Sequence, residues 1–201
     1  MPARDREPRM SRDETEAVLV AMGRRPGRDI GDTRLDALLR TVTGRFAEEG
    51  HPVEAFPAAR AFVRAYGGLR WEIPGTPPDA FAFTPHWIYE ESAEDVAELA
   101  ALLRTRLFPV GYTTFDAAML LLDETGRFFL LHHTGPYHLG DDVHEAVSRL
   151  LRGPQVEART LFPTEAPTEA PTAAPPPAAP PPPPPDGCAP PASASPSADS
   201  P

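Results

Sequence analysis

The residue types that most often bind metal ions in proteins are concentrated in one short stretch of the sequence. Four of the six histidines and two aspartates lie there: His132, His133, His138, Asp141, Asp142 and His144. Imidazole and carboxylate groups are zinc ligands, so this stretch is the first candidate for a metal site. Neighbouring residues of a strand point to opposite faces, however, which keeps His132 and His133 from facing one ion, and the HExxH spacing is absent. We therefore predict no metal site and interpret these histidines as residues of a strand edge and a helix start.

Nucleophilic side chains lack the surroundings that covalent catalysis needs. The sequence contains no lysine, which excludes a P-loop of the GxxxxGK type and a Schiff-base nucleophile. Its single cysteine, Cys188, falls in a proline-rich segment and can form neither an intramolecular disulfide nor a CxxC metal site. The GxSxG motif is absent, and Ser11, Ser92 and Ser148 fall at predicted helix caps or within a helix. We therefore predict that the protein is not an enzyme and takes no cofactor.

One acidic cluster is the main candidate for a binding site. Five acidic residues occupy nine positions around the start of a predicted helix: Glu90, Glu91, Glu94, Asp95 and Glu98. Part of this clustering is expected from capping and from the positive end of the helix dipole. A surface of one charge also speeds encounter with a partner of opposite charge and excludes wrong partners. The cluster is thus our candidate surface for a basic protein partner, and a solvated helix face is the alternative.

Basic residues form no comparable surface. Arg24, Arg25 and Arg28 lie in one predicted loop and could bind a phosphate or carboxylate, but we favour the interpretation of a solvated loop. Residues 1–153 contain 18 arginines against 24 acidic residues, a net charge of −6 within −10 for the chain. An acidic domain is unsuited to non-specific binding of nucleic acid or of an anionic membrane. No apolar run approaches the roughly 20 residues of a membrane span, and the first residues lack a signal-peptide core, so we expect a cytoplasmic protein.

Apolar periodicity predicts one domain over residues 11–153. The predicted helices start at Ser11, where Glu14 completes a capping box, cover Leu35–Phe46 and Ala59–Tyr66, start again at Ser92, and cover Val143–Arg152. The predicted strands are Leu69–Ile73, Ala80–Phe83 and a hairpin of Ala118–Leu122 with Arg127–His132. Consecutive apolar residues in the hairpin indicate that both sheet faces are covered there. This order predicts an α+β fold in which a mainly antiparallel sheet packs with helices.

The remaining residues, 154–201, have a different composition. They contain 17 of the 28 prolines, including the run Pro180–Pro185. Such a segment cannot bury enough apolar area to offset its ordering entropy, so we predict a disordered tail rich in proline and alanine. It could serve as a ligand for an aromatic groove or as a solvated extension. At the other end, residues 1–10 are predicted to be a flexible N-terminus.

Several glycine and proline motifs share an order with a known family. They are Gly23-x-x-Pro26-Gly27-Arg28, Tyr66-Gly67-Gly68-Leu69, Leu107-Phe108-Pro109-Val110-Gly111, Leu121-Leu122-Asp123-Glu124-Thr125-Gly126-Arg127, and the segment from Glu145 to Gly153. We interpret these glycines and prolines as residues that set the backbone conformation. We expect a positive φ at Gly67 or Gly68, a hairpin turn closed by Gly126, and extended geometry imposed on Phe108 by Pro109. In this order they resemble the third branch of the SUKH superfamily of bacterial immunity proteins, over residues 11–153.

The resemblance implies a non-enzymatic domain that binds and neutralises a cognate toxin, often a nuclease or a nucleic-acid deaminase. It supplies no catalytic residues, and it leaves the oligomeric state open. The family usually has an aromatic residue where this chain has Arg24. A general interaction module of the same fold, with the proline-rich tail recruiting a partner, is the alternative function.

Overall fold

The computed structural model describes residues 9–161, apart from residues 76, 87, 88, 154 and 155. Most of the predicted tail therefore lies outside the described residues, as do residues 1–8 of the predicted flexible N-terminus. The described helices are α1 (Arg12–Ala21), α2 (Asp32–Glu48), α3 (Pro57–Tyr66), α4 (Ser92–Leu103), α5 (Val143–Arg152) and α6 (Ala158–Leu161). The described strands are β1 (Leu69–Ile73), β2 (Asp79–Phe83), β3 (Leu107–Thr113), β4 (Met119–Asp123), β5 (Phe128–His132), β6 (Gly135–Gly140) and β7 (Val156–Glu157). The predicted α+β class with an antiparallel sheet is confirmed.

The seven described strands follow one another across a single sheet in chain order, and each neighbouring pair is antiparallel. The predicted hairpin is confirmed by the pairing of β4 with β5, where Leu120 lies opposite Leu130. All five residues of β4 are buried, as expected for a strand covered on both faces. Gly126 closes this hairpin with φ +97°, and its amide donates to the Asp123 carbonyl at 3.1 Å.

Helices pack on the sheet to form one hydrophobic core. Helix α3 contacts β3 and β4, α4 contacts β3, and α5 contacts β5 and β6. The Phe62 ring lies at the centre of an aromatic cluster, 4.8 Å from Tyr66, 5.3 Å from Phe83 and 5.1 Å from Phe128 between ring centroids. Such pairs add stability beyond the area they bury. The cluster therefore joins α3 to strands that are distant in sequence.

Local signals at the helix ends are mostly as predicted. The α1 capping box is present, since the Glu14 amide donates to Ser11 Oγ at 3.2 Å and the Ser11 amide donates to Glu14 Oε2 at 2.7 Å. After α3, the positive φ of +83° belongs to Gly68, while Gly67 has φ −51° as the C-cap residue. Pro109 lies within β3 at a register shift, so Phe108 before it is extended.

The sheet continues beyond the predicted domain boundary at Gly153. Gly153 ends α5, but β7 then pairs with β6, with Val156 opposite His138, and Ala158 is fully buried. Strand β6 itself is absent from the sequence predictions. The folded residues thus extend to α6, because Gly153 ends helix α5 while the chain after it adds a further strand, β7, to the sheet.

Candidate protein-binding surface

The predicted acidic cluster lies on the solvent side of the first turns of α4. We call Glu90, Glu91, Glu94, Asp95 and Glu98 the α4 acidic patch. All are exposed except Asp95, which is half-buried. Glu91 is the N-cap residue and has a left-handed backbone with φ +72°. The structure therefore brings the five predicted acidic residues together at one end of one helix.

Capping of α4 does not use the side chains of this patch. Helix α4 begins at Ser92, as predicted, but its N-cap residue is Glu91, and the fully buried Ser92 does not cap the helix. Instead, the Ala93 amide donates to Glu49 Oε2 at 3.1 Å, and Glu49 directly follows α2. This carboxylate supplies the acceptor that the first turn of a helix needs. The side chains of the α4 acidic patch therefore do not cap the helix.

Asp95 has a local structural role. Its Oδ2 atom accepts a hydrogen bond from the Tyr89 hydroxyl at 2.7 Å. Burial, followed by this contact with Asp95, raises the pKa of Tyr89 far above its usual range, so the phenol stays protonated and donates. Asp95 therefore fixes the segment that leads into α4, while the other four carboxylates of the patch face solvent.

Acidic residues elsewhere in the described structure are largely neutralised by arginine. Ion pairs join Asp29 and Asp32 to Arg64, Asp36 to Arg60, Glu124 to Arg106, and Asp142 to Arg12, among others. Within the described residues, no carboxylate of the α4 acidic patch lies within 4.0 Å of a basic group. No ion pair among the described residues therefore offsets the charge of the patch, and this makes it the strongest candidate for contact with a basic partner.

A groove of about 420 Å³ adjoins the patch, between α4 and the turn from β5 to β6. One face of α4 forms one wall, with Asp95, Glu98, Leu99 and Leu102 at helical spacing. The opposite wall includes Leu131, and Arg159 of α6 also lines the groove. The groove was not predicted, because it depends on strand β6 and on helix α6.

The loop arginines serve the fold. Arg28 donates from Nη1 to the Ala65 carbonyl at 2.7 Å and from Nη2 to the Gly67 carbonyl at 2.8 Å, which satisfies the end of α3. Burial, and then the charge of Arg34, lowers the pKa of Arg28. The other motif residues also shape the backbone: Gly27 has φ +70°, Leu69 is buried at the start of β1, and Gly111 lies at the register shift of β3.

Arg24 forms contacts with residues of two helices. Its guanidinium pairs with Glu16 and lies 5.7 Å from the centroid of the Tyr66 ring. A cation placed over an aromatic face is attracted by the ring quadrupole. Arg24 therefore connects α1 to the end of α3, whereas Arg25 is exposed.

The predicted orientation of the two adjacent histidines is wrong. The rings of His132 and His133 lie 3.8 Å apart between centroids, because β5 ends at His132 and strand alternation stops there. The other two occupy separate places, His138 against Phe129 and His144 with Nδ1 at 3.0 Å from a threonine hydroxyl of α1. Among the described residues, no group of three or more His, Cys, Asp or Glu side chains is arranged to hold a metal ion.

The burial of two of these histidines, His138 and His144, predicts how the stability of the fold depends on pH. The pKa values of His138 and His144 are lowered, chiefly by burial. The unfolded chain then binds more protons, so their contribution is complete above the ordinary pKa of 6.5 and is lost as pH falls through the lower folded-state values. We expect urea denaturation to give a smaller free energy of unfolding at about pH 5 than at about pH 7.5.

The double variant His138→Gln, His144→Gln is the control for this pH dependence. It should be less stable than the original chain at neutral pH, yet lose less stability on acidification. An equal loss in both proteins would show that other groups cause the effect. Carboxylates such as Asp142, whose pKa is lowered below 3.8, act only at more acidic pH.

Similarity to known proteins is found at the level of a family model. None of the described helices has the length and apolar character needed to cross a membrane. No curated protein and no solved structure matches the chain. The family model of the SUKH-3 immunity protein matches residues 11–153, and the resemblance found in the motif order is thereby confirmed.

Proposed function

Because the chain belongs to the SUKH-3 immunity protein family, we propose that it binds a cognate toxin and neutralises it in a stoichiometric complex, without catalysis. The proposed setting is the cytoplasm of a bacterium, and the proposed toxin acts on nucleic acid, as a nuclease or a related enzyme. The immunity role is supported by the family, and the nature of the toxin is what the family resemblance implies, to which the acidic surface of this chain is suited.

The observation that carries the proposal is the α4 acidic patch, whose carboxylates form no ion pair within the described structure. An enzyme that acts on nucleic acid carries a basic surface for the phosphate backbone. An acidic inhibitor is attracted to that surface, reaches it rapidly and competes with the phosphates for it. The net charge of −6 on residues 1–153 acts in the same direction. Occlusion of the basic surface would suffice for inhibition and needs no catalytic residue.

Charge reversal in the patch tests this function. Glu94→Arg should weaken toxin binding about tenfold, because it removes an attraction and introduces a repulsion at a contact surface. The affinity is measured by calorimetry with the toxin domain encoded beside this gene, and protection is measured by growth on co-expression. Asp13→Arg is the matched control, since Asp13 is also an exposed acid in the first turn of a helix.

Equal losses in Glu94→Arg and Asp13→Arg would indicate an effect of net charge alone, and full protection by Glu94→Arg would refute the patch as the contact surface.

A chain that ends at Leu161 tests the alternative function. It keeps β7 and α6 but lacks the proline-rich residues. Unchanged protection supports immunity by the domain, whereas loss of all partner binding supports a module that recruits partners through its tail.

A further inference from the structure

We propose that the groove beside the α4 acidic patch receives one arginine or lysine side chain of the bound protein, as the anchoring contact of the complex. The inference rests on the proposed function and adds to it a defined cavity and the chemistry of the group that enters it. Anchors of this kind carry a large share of the binding energy in protein complexes, and arginine is enriched among them.

The walls of the groove suit both parts of a long basic side chain. Leu102 of α4 is half-buried and offers apolar surface for the aliphatic stem, while Leu99 and Leu131, also on the lining, are almost fully buried. Asp95 and Glu98 precede the two α4 leucines on the same face of that helix, where they can accept from the charged head. The volume of about 420 Å³ lies at the small end of the usual range of ligand cavities.

Charge favours a basic occupant over an acidic one. Asp95 and Glu98 have no basic group within 4.0 Å among the described residues, although Arg159 lines the same groove. His132, also on the lining, lies 3.7 Å from Asp116 between Nε2 and Oδ2, which places a third carboxylate next to this wall. Among the described residues, Asp95, Glu98 and Asp116 thus place three carboxylates on or beside the groove, against the one arginine, Arg159, on its lining. The Nε2 atom of His132, which faces Asp116, is buried and forms no hydrogen bond within the described residues.

The test uses the full chain and a blocked pentapeptide with two arginines, compared with the same peptide carrying citrulline in place of arginine. We expect the arginine peptide to shift the methyl NMR signals of Leu99, Leu102 and Leu131, and the uncharged peptide to shift them far less. Glu98→Gln should weaken binding about threefold to tenfold, since it removes the charge and keeps the shape. Asp13→Asn, on α1, provides the matched control for loss of one negative charge.

Arg159→Gln distinguishes a basic from an acidic occupant. Removal of this like charge should strengthen binding of the arginine peptide about twofold to threefold. The proposal is overturned if Arg159→Gln weakens binding, if both peptides bind equally, or if the shifted signals lie outside the groove. Toxin protection without peptide binding at the groove would refute the anchor alone, and peptide binding at the groove without toxin protection would refute the proposed function alone.

Discussion

Replacement of Asp123 by alanine is expected to lower the free energy of unfolding by about 3 to 5 kcal/mol, because several hydrogen bonds to one charged carboxylate are lost together. Asp123 is fully buried at the end of β4. Its carboxylate accepts from the Thr125 amide at 2.9 Å, the Arg127 amide at 2.9 Å and Arg127 Nε at 2.6 Å. Without it, the amides of Thr125 and Arg127 and the Arg127 guanidinium all lose the acceptor that holds the β4–β5 turn together.

Urea denaturation of the purified chain measures this loss, and Glu124→Ala provides a control in the same turn. Glu124 has a side chain that is 40% exposed and an ion pair with Arg106, so its removal should cost less than about 1 kcal/mol. Equal effects of the two substitutions would mean that the carboxylate of Asp123 does not organise the hairpin.

The second large effect is expected at Gly111, where β2 and β3 approach closely. An added Cβ atom would lie 2.3 Å from the Ala82 carbonyl oxygen and 3.0 Å from a methyl group of Leu120. Backbone cannot yield as a flexible side chain does, so Gly111→Ala should destabilise the fold by about 2 to 3 kcal/mol. The strands would have to separate where the register of β3 already shifts.

Gly44→Ala is the matched substitution with the opposite expected sign. Gly44 lies inside α2, and an added Cβ atom there would meet no neighbouring atom within 4 Å. Alanine there should stabilise the protein by about 0.5 to 1 kcal/mol, because glycine in a helix loses more conformational entropy on folding. If thermal denaturation shows the same change in stability for both variants, the close contact at Gly111 is not the cause.

Local signals were sufficient to predict the elements that depend on neighbouring residues. The capping box of α1 involves residues three positions apart, and the β4–β5 hairpin combines two apolar runs with the turn at Gly126. Both are determined within short segments, which is the range over which periodicity and turn chemistry act. The exposure of the α4 acidic patch was predictable for the same reason, since charged residues on one helix face seldom face a core.

Elements whose stability comes from distant residues were not predictable in this way. Strand β6 begins with Gly135-Pro136 and ends at Gly140, residues typical of turns, and pairing with β5 and β7 overrides that preference. The acceptor at the start of α4, Glu49, lies 44 residues before the amide that it binds. Ser92 matched the local pattern of a cap and is instead buried. The groove, which needs β6 and α6, was absent from the sequence predictions for the same physical reason.

The capping of α4 by Glu49 has a consequence for how such a protein can evolve. Helix formation and partner recognition usually compete for the same residues at a helix start, because the capping residue tolerates few substitutions. Here the carboxylate belongs to Glu49, the residue that follows α2. The exposed residues Glu90, Glu94 and Glu98 can therefore change without loss of this cap, so substitutions at the surface of the α4 acidic patch need not weaken the start of the helix.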